Sequence, residues 1–274
     1  FRKGFVSDGK DMSNMSTVMI RANAGYERLL RYLLPELREI GLEGMIGNMA
    51  GKQANKQYGY DHRFDNTLFL DEQYIEKRLK EADAAGQEVA KIMKDCAGVI
   101  AVTRFGEEPF SPESKDDTLK PDQTQQQLMQ SLQNQMMMVQ NKYYSRAEKS
   151  FCIIAFPSPE IGDKFEEIFE DILEVNMLSS EEYEGFQKAI IDVLDTAVKV
   201  HIKGIEGNDT DLIVAMQTIA DREKQTNFVN CGADVNIPVG EVFTSPKLTG
   251  TNGMLHIADT FLNGFRFRNL QITF

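Results

Sequence analysis

Phe151-Cys-Ile-Ile-Ala-Phe-Pro157 is the stretch from which the fold can be derived. Its six consecutive apolar residues end at proline, which predicts a short buried strand. A Gln- and Met-rich helix is predicted before the strand, over residues 124–146. Two acidic amphipathic helices are predicted after it, over residues 161–175 and 180–198. The strand is therefore expected to lie in a sheet covered by helices.

The same order of elements is found further upstream. Residues 72–94 are predicted to form a long helix, because apolar residues recur at steps of three and four after the capping residue Asp71. Val99-Ile-Ala-Val102 follows as a short apolar strand. Residues 17–40 are interpreted as one further helix, which Pro35 should kink or restart. Alternating strands and helices predict an α/β fold with a partly parallel sheet flanked by helices.

The pattern changes near Gly204, after which glycine and asparagine turns separate short predicted strands. These strands cover residues 210–217, 226–231, 241–244, 253–259 and 265–274. The predicted organisation is a polar tail over residues 1–16, an α/β domain over residues 17–204 and a β-rich segment over residues 205–274, which would be the start of a second, catalytic domain.

Charge and cysteine content limit the classes of partner. The 274-residue chain carries 30 basic and 42 acidic residues, a net charge of −12, which argues against nucleic acid or an anionic membrane surface as a partner. Three widely spaced cysteines without a Cys-x-x-Cys pair favour free thiols, as is typical of cytoplasmic proteins. No apolar run reaches the roughly 20 residues that span a bilayer.

Asn236-Ile-Pro-Val-Gly-Glu-Val-Phe-Thr-Ser-Pro246 is the candidate functional stretch. Pro238 and Gly240 predict a rigid turn, after which Glu241 begins a short run of strand-forming residues. A carboxylate held where a turn meets a strand can bind a metal ion or transfer a proton. From the residues alone, the alternative is a solvated glutamate at a strand end.

The histidines offer weaker candidates for a metal site. His62 lies between Asp61 and Asp65, but no second histidine or cysteine follows at ligand spacing, which favours a surface histidine in a charged turn. His256 and Asp259 are three residues apart in a predicted strand and should point to opposite faces.

Two further features leave their function open. Four methionines of the Gln-rich helix could form a soft binding face or fill a core; they are Met129, Met136, Met137 and Met138. His201 alternates with apolar neighbours and is interpreted as a structural or rim residue. The sequence has no Gly-x-Gly-x-x-Gly or P-loop motif, which disfavours a nucleotide-binding protein.

The stretch from Asn236 to Pro246 resembles the signature of the thermophilic metallo-aminopeptidase family, which includes aminopeptidases T and S and PepS. Two upstream segments agree in order and spacing. The first is Ile153-Ile-Ala-Phe-Pro-Ser-Pro159, followed by Glu182-Tyr-Glu-Gly-Phe186. The second is Gly207-Asn-Asp-Thr-Asp-Leu212. Three short motifs in this order are fairly specific, and together they cover roughly residues 95–274.

The resemblance implies a two-metal exopeptidase that acts on peptides with a free N-terminus and forms a homodimer. In such an enzyme two divalent ions, zinc or cobalt, activate the attacking water. Only Glu241 matches a metal ligand of the family. The other ligands, a second glutamate, histidines and an aspartate, are expected beyond Phe274, so we expect no catalytic residue and no tightly bound metal within this chain.

The two ends of the sequence lead to a related expectation. The chain begins at Phe1 without an initiator methionine and ends within the strand-like Leu270-Gln-Ile-Thr-Phe274. We therefore expect the N-terminal portion of a longer aminopeptidase, inactive by itself. The alternative is a non-catalytic α/β interaction module, whose acidic helices dock a partner and in which Glu241 is an ordinary strand-end residue.

Overall fold

The computed structural model describes residues 1–7, 9–47, 61–106, 116, 118–232, 235–237, 240–262 and 265–274. The chain divides into two compact units. The first comprises Phe1–Arg104 and Ser111–Ile154, and the second comprises Phe105–Phe110 and Ala155–Phe274. The boundary predicted near Gly204 lies within the second unit, and the division into an α/β domain and a β-rich segment stays a prediction.

The first part of the chain alternates helices with strands. Its elements are α1 (Arg2–Ser7), β1 (Thr17–Arg21), α2 (Glu27–Glu39), β2 (Glu43–Ile46), α3 (Glu72–Ile92), β3 (Cys96–Phe105), α4 (Gln123–Tyr143) and β4 (Ser150–Pro157). β1 pairs in parallel with both β2 and β3. The fold is thus mixed α/β, with helices flanking a five-stranded sheet, as predicted.

Both long helices begin at capping aspartates. Asp71 accepts a hydrogen bond of 2.7 Å from the backbone N–H of Tyr74 at the start of α3, as the sequence predicts. Asp122 and Gln125 form a reciprocal capping box at the start of α4. These caps satisfy backbone donors that otherwise have no partner within the helix. They fix the residue at which each helix starts.

The prediction of a single helix over residues 17–40 is wrong in its first part. Thr17–Arg21 forms β1, and Val18 and Ile20 are fully buried. The pairing partners of this strand, β2 and β3, lie 22 or more residues away in the sequence, so a local pattern cannot reveal them. α2 then runs from Glu27 to Glu39 with Pro35 inside it.

Residues 1–16 also differ from the predicted polar tail. Residues 2–7 form α1, and the Phe5 side chain is only 1% exposed. Its ring lies 5.9 Å from the ring of Phe1. Lys10 donates a hydrogen bond of 3.0 Å to the carbonyl oxygen of Lys149. One aromatic side chain thus anchors a stretch whose overall composition is polar.

The second part of the chain has two helices followed by a β-rich region. Its elements are α5 (Phe165–Asn176), α6 (Ser180–Leu194), β5 (Lys199–Lys203), β6 (Asp211–Ala215), β7 (Phe228–Cys231), β8 (Asn236–Ile237), β9 (Glu241–Thr244), β10 (Asn252–Leu262) and β11 (Phe265–Thr273). The five predicted strands of this region are all present. β5 and β8 were not predicted.

The strands form three sheets. The five-stranded sheet has the order β2-β1-β3-β4-β8, and an antiparallel sheet has the order β11-β10-β6-β5. β7 and β9 form a separate antiparallel ribbon. No helix among the described residues is both long enough and apolar enough to cross a bilayer.

Candidate functional site

Glu241 is the first residue of β9 and lies opposite Cys231 of β7. Cys231 is fully buried, whereas Glu241 is exposed. At the other end of the ribbon, the Thr244 hydroxyl donates a hydrogen bond of 2.6 Å to the carbonyl oxygen of Asn227. The ribbon therefore holds the backbone of Glu241 at its end, while the carboxylate reaches solvent. This is the strand-end position that the sequence predicts.

Gly240 brings the chain into β9 with a φ of +128°, a region that L-residues rarely adopt. A Cβ atom built on Gly240 would lie 3.6 Å from the ring of Tyr183, an ordinary contact distance. The dihedral angle, and not crowding, is therefore what favours glycine here. The predicted turn also includes Pro238, which lies outside the described residues.

Asn236 holds one oxygen of the Glu241 carboxylate. Its Nδ2 donates a hydrogen bond of 2.7 Å to Oε2 of Glu241. No other hydrogen bond to this carboxylate is formed within the part of the chain that the structure describes, so Oε1 is open to an additional ligand. Sequence reasoning noted Asn236 only as the start of a motif. The sequence signal that could have indicated this contact is the spacing of five residues between Asn236 and Glu241.

Gln187 attaches the ribbon to α6. Its side chain is 2% exposed, and Nε2 donates to Oδ1 of Asn230 at 2.5 Å and to the carbonyl oxygen of Cys231 at 2.9 Å. Asn230 in turn donates a hydrogen bond of 2.9 Å to the carbonyl oxygen of Glu184. This network fixes β7, the strand that pairs with Glu241. The sequence did not indicate it, because Gln187 looks like an ordinary surface residue of an acidic helix.

The described residues do not assemble a complete metal centre around Glu241. No group of three or more histidine, cysteine, aspartate or glutamate side chains among them is placed to hold an ion. A catalytic zinc ion generally requires three protein ligands, and the ribbon supplies one carboxylate.

His256 has a structural position inside the antiparallel sheet. Its Nδ1 accepts a hydrogen bond of 2.9 Å from the backbone N–H of Asp209, which leaves the ring proton of the neutral form on Nε2. The backbone of His256 exchanges hydrogen bonds with the Thr210 hydroxyl, 3.0 and 3.2 Å long. Asp259 is instead exposed and pairs with Arg266. The structure therefore does not bring His256 and Asp259 together.

The other two histidines each form a partly exposed hydrogen bond with a carboxylate. His201 is bonded through Nε2 to Oδ1 of Asp211 at 2.7 Å, a contact that lowers the pKa of this carboxyl group. His62 is bonded through Nδ1 to Oδ2 of Asp65 at 2.9 Å.

Comparison with models of known protein families shows a match over nearly the whole chain. The family model described as thermophilic metalloprotease (M29) matches residues 5–274. This match includes the first 90 or so residues, for which no family motif was recognised in the sequence. None of the curated proteins matches the chain.

Proposed function

The chain belongs to the thermophilic metalloprotease family (M29), a family of metal-dependent peptidases, and from this premise we propose that it forms part of an aminopeptidase that removes N-terminal residues from peptides. One observation carries the assignment to particular residues. Glu241 stands at the strand entry of the family-like stretch, with Oε2 held by Asn236 and the rest of the carboxylate open to a ligand.

We propose Glu241 as one metal ligand of this enzyme. Two divalent ions, zinc or cobalt, would supply an activated water and polarise the scissile carbonyl when bound. Since no group of three or more histidine, cysteine, aspartate or glutamate side chains among the described residues is placed to hold an ion, we propose that the remaining ligands belong to a longer parent chain. The 274-residue polypeptide by itself is accordingly proposed to be inactive.

The proposal extends to partners and location. The substrates are peptides with a free N-terminus, and the enzyme is a cytoplasmic homodimer. The net charge of −12 and the three buried cysteine thiols support a cytoplasmic protein that does not bind nucleic acid or membranes.

Two proteins test this function: the 274-residue chain and the full-length gene product. For the 274-residue chain, zinc titration by calorimetry should show no tight binding, and a leucyl amide should not be hydrolysed. The full-length gene product should bind zinc tightly and hydrolyse the amide. In the full-length protein, Glu241→Gln should lower kcat/KM more than 100-fold, because a neutral amide is a poor ligand for a divalent ion. Glu174→Gln, at an exposed glutamate of α5, is the matched control and should leave kcat/KM unchanged.

A non-catalytic interaction module is the second candidate, and one observation favours it. α6 exposes an apolar stripe at helical spacing, formed by Phe186, Ile190 and Val193, of which Phe186 is 66% exposed. Such a stripe is typical of a helix that docks against a partner. If the full-length gene product binds no metal and hydrolyses no amide, the module is the better description.

A further inference from the structure

An open-sided cavity of about 690 Å³ lies in the first unit, between strands of the sheet and the helices α3 and α4. Met19 of β1 and Val99 of β3 contribute to its floor, and it contains no residue of the ribbon that carries Glu241. Small-molecule sites are clefts or cavities that typically measure about 300–1,000 Å³. The volume lies within this range.

Small residues of α3 create this space. Ala82, Ala85 and Gly86 line the cavity at positions where larger apolar side chains would fill it. Gly86 also allows a close approach of α4, because a Cβ atom at this position would lie only 2.3 Å from Cδ2 of Tyr143. The two helices therefore touch at Gly86 while a volume beside the contact stays open.

Two of the four methionines noted in the sequence form part of the wall. Met136 and Met137 of α4 line the cavity, and Met137 is 47% exposed. A core methionine would be buried, so this exposure favours the binding-face interpretation for Met137. Methionine side chains are flexible and polarisable, and they adapt to apolar ligands of different shapes.

Arg21, at the carboxyl end of β1, is the only charged residue among those that line the cavity in the described part of the chain. Among the residues that the structure describes, no carboxylate forms an ion pair with Arg21. The other polar lining residues are glutamines and tyrosines. A guanidinium group beside an apolar volume selects a carboxylate that is attached to an apolar body.

We propose that this cavity binds a small amphipathic monocarboxylate, with its carboxylate on Arg21 and its apolar chain against α3 and α4. A free amino acid suits the site less well, because no described lining residue is an acid that could accept its ammonium group. The site is independent of the proposed peptidase function, since it shares no residue with the Glu241 ribbon.

The test uses the 274-residue chain with octanoate and octanol, which differ in the head group. Calorimetry should show saturable binding of octanoate at one site. In spectra of methyl-labelled methionine, octanoate should shift Met19, Met136 and Met137, while Met177, which does not line the cavity, should keep its position.

Variants distinguish the contribution of the Arg21 charge to binding from the contribution of the apolar volume. Arg21→Gln should weaken octanoate about ten-fold and change octanol less than two-fold, because only the carboxylate loses its charge-assisted hydrogen bond. Ala85→Phe should abolish binding of both compounds by filling the cavity. Arg28→Gln, at an exposed arginine of α2, is the matched control and should leave both affinities unchanged.

Several results would overturn the proposal. These are absence of saturable octanoate binding to the unmodified chain, equal shifts of Met177 and the cavity methionines, and an equal loss of octanoate and octanol in Arg21→Gln. If Ala85→Phe fails to fold, as judged by circular dichroism, Ala82→Leu replaces it. The methyl shifts of the unmodified chain show where octanoate binds, without the need for any variant.

Discussion

The side-chain amide of Asn236 donates a 2.7 Å hydrogen bond to Oε2 of Glu241, five residues later in the sequence. An amide donor fixes the orientation of the carboxylate without adding a charge that would compete for a cation. The bond therefore places the open oxygen of Glu241 in one direction. In metal sites, groups that orient a ligand in this way contribute strongly to affinity.

Asn236→Ala should weaken metal binding by the full-length protein about 10- to 100-fold, because the Glu241 carboxylate loses its orienting donor. Metal affinity is measured by competition with a chelator, and the free energy of unfolding by urea titration. Asn141→Ala, at an exposed asparagine of α4, is the control and should change neither quantity. An unchanged metal affinity in Asn236→Ala would show that the hydrogen bond has no role in ligand orientation.

Gln187→Leu should lower the free energy of unfolding by about 1–3 kcal/mol, because Asn230 and the carbonyl oxygen of Cys231 would lose a buried donor. Urea unfolding followed by circular dichroism measures the change. The control Gln127→Leu, at an exposed position of α4, should stay within about 0.5 kcal/mol of the parent. Equal stability of both variants would mean that the network does not hold α6 to β7.

The order of elements could be predicted where the sequence signal is local. The cap at Asp71 and the alternating apolar residues of Leu270-Gln-Ile-Thr-Phe274 depend on neighbours within a few positions, and the structure shows both the helix and the strand. β1 could not be predicted, because Val18 and Ile20 are defined as strand residues by partners in β2 and β3. Distant pairing overrides a local helical pattern.

In the candidate site, too, only the features that depend on neighbouring residues could be predicted from the sequence. Glu241 could be placed at a strand entry, because Gly240 and the strand formers after it are adjacent in sequence. Its contact with Asn236 and the anchoring of β7 by Gln187 depend on how side chains meet after folding. A polar residue in an acidic helix carries no local sign that it will be buried.

The Asp83–Lys142 pair should make stability depend on pH at the acidic end. Hydrogen bonds from Lys142 and Tyr143 lower the pKa of Asp83 below its ordinary value of 3.8, and the bond to Asp83 raises the pKa of Lys142 to about 12. Because the folded-state pKa of Asp83 is depressed, its contribution is complete above the ordinary value and is lost as the pH falls through the folded value. The contribution of Lys142 is complete below pH 10.5 and is lost as the pH rises through about 12.

Urea unfolding between about pH 5 and pH 2 measures the acidic part of this dependence. The unmodified chain should lose stability more steeply than Asp83→Asn over this range, since the variant cannot titrate at this position. Asp163→Asn, at an exposed aspartate before α5, should retain the slope of the unmodified chain. Identical slopes in Asp83→Asn and the unmodified chain would contradict the prediction.

Gly240→Ala should lower the free energy of unfolding by about 1–3 kcal/mol, because an L-residue at a φ of +128° is strained. The Tyr183 ring, 3.6 Å from the added Cβ, leaves room for it, so the cost is conformational and not steric. Gly185→Ala is the matched control: it lies within α6, its Cβ meets nothing, and it should raise stability by about 0.5–1 kcal/mol. Urea titration of both variants measures whether the free energy of unfolding falls in Gly240→Ala and rises in Gly185→Ala. A Gly240→Ala protein as stable as its parent would show that the entry to β9 tolerates an ordinary backbone conformation, and Glu241 would then lose the rigid support on which its proposed role as a ligand depends.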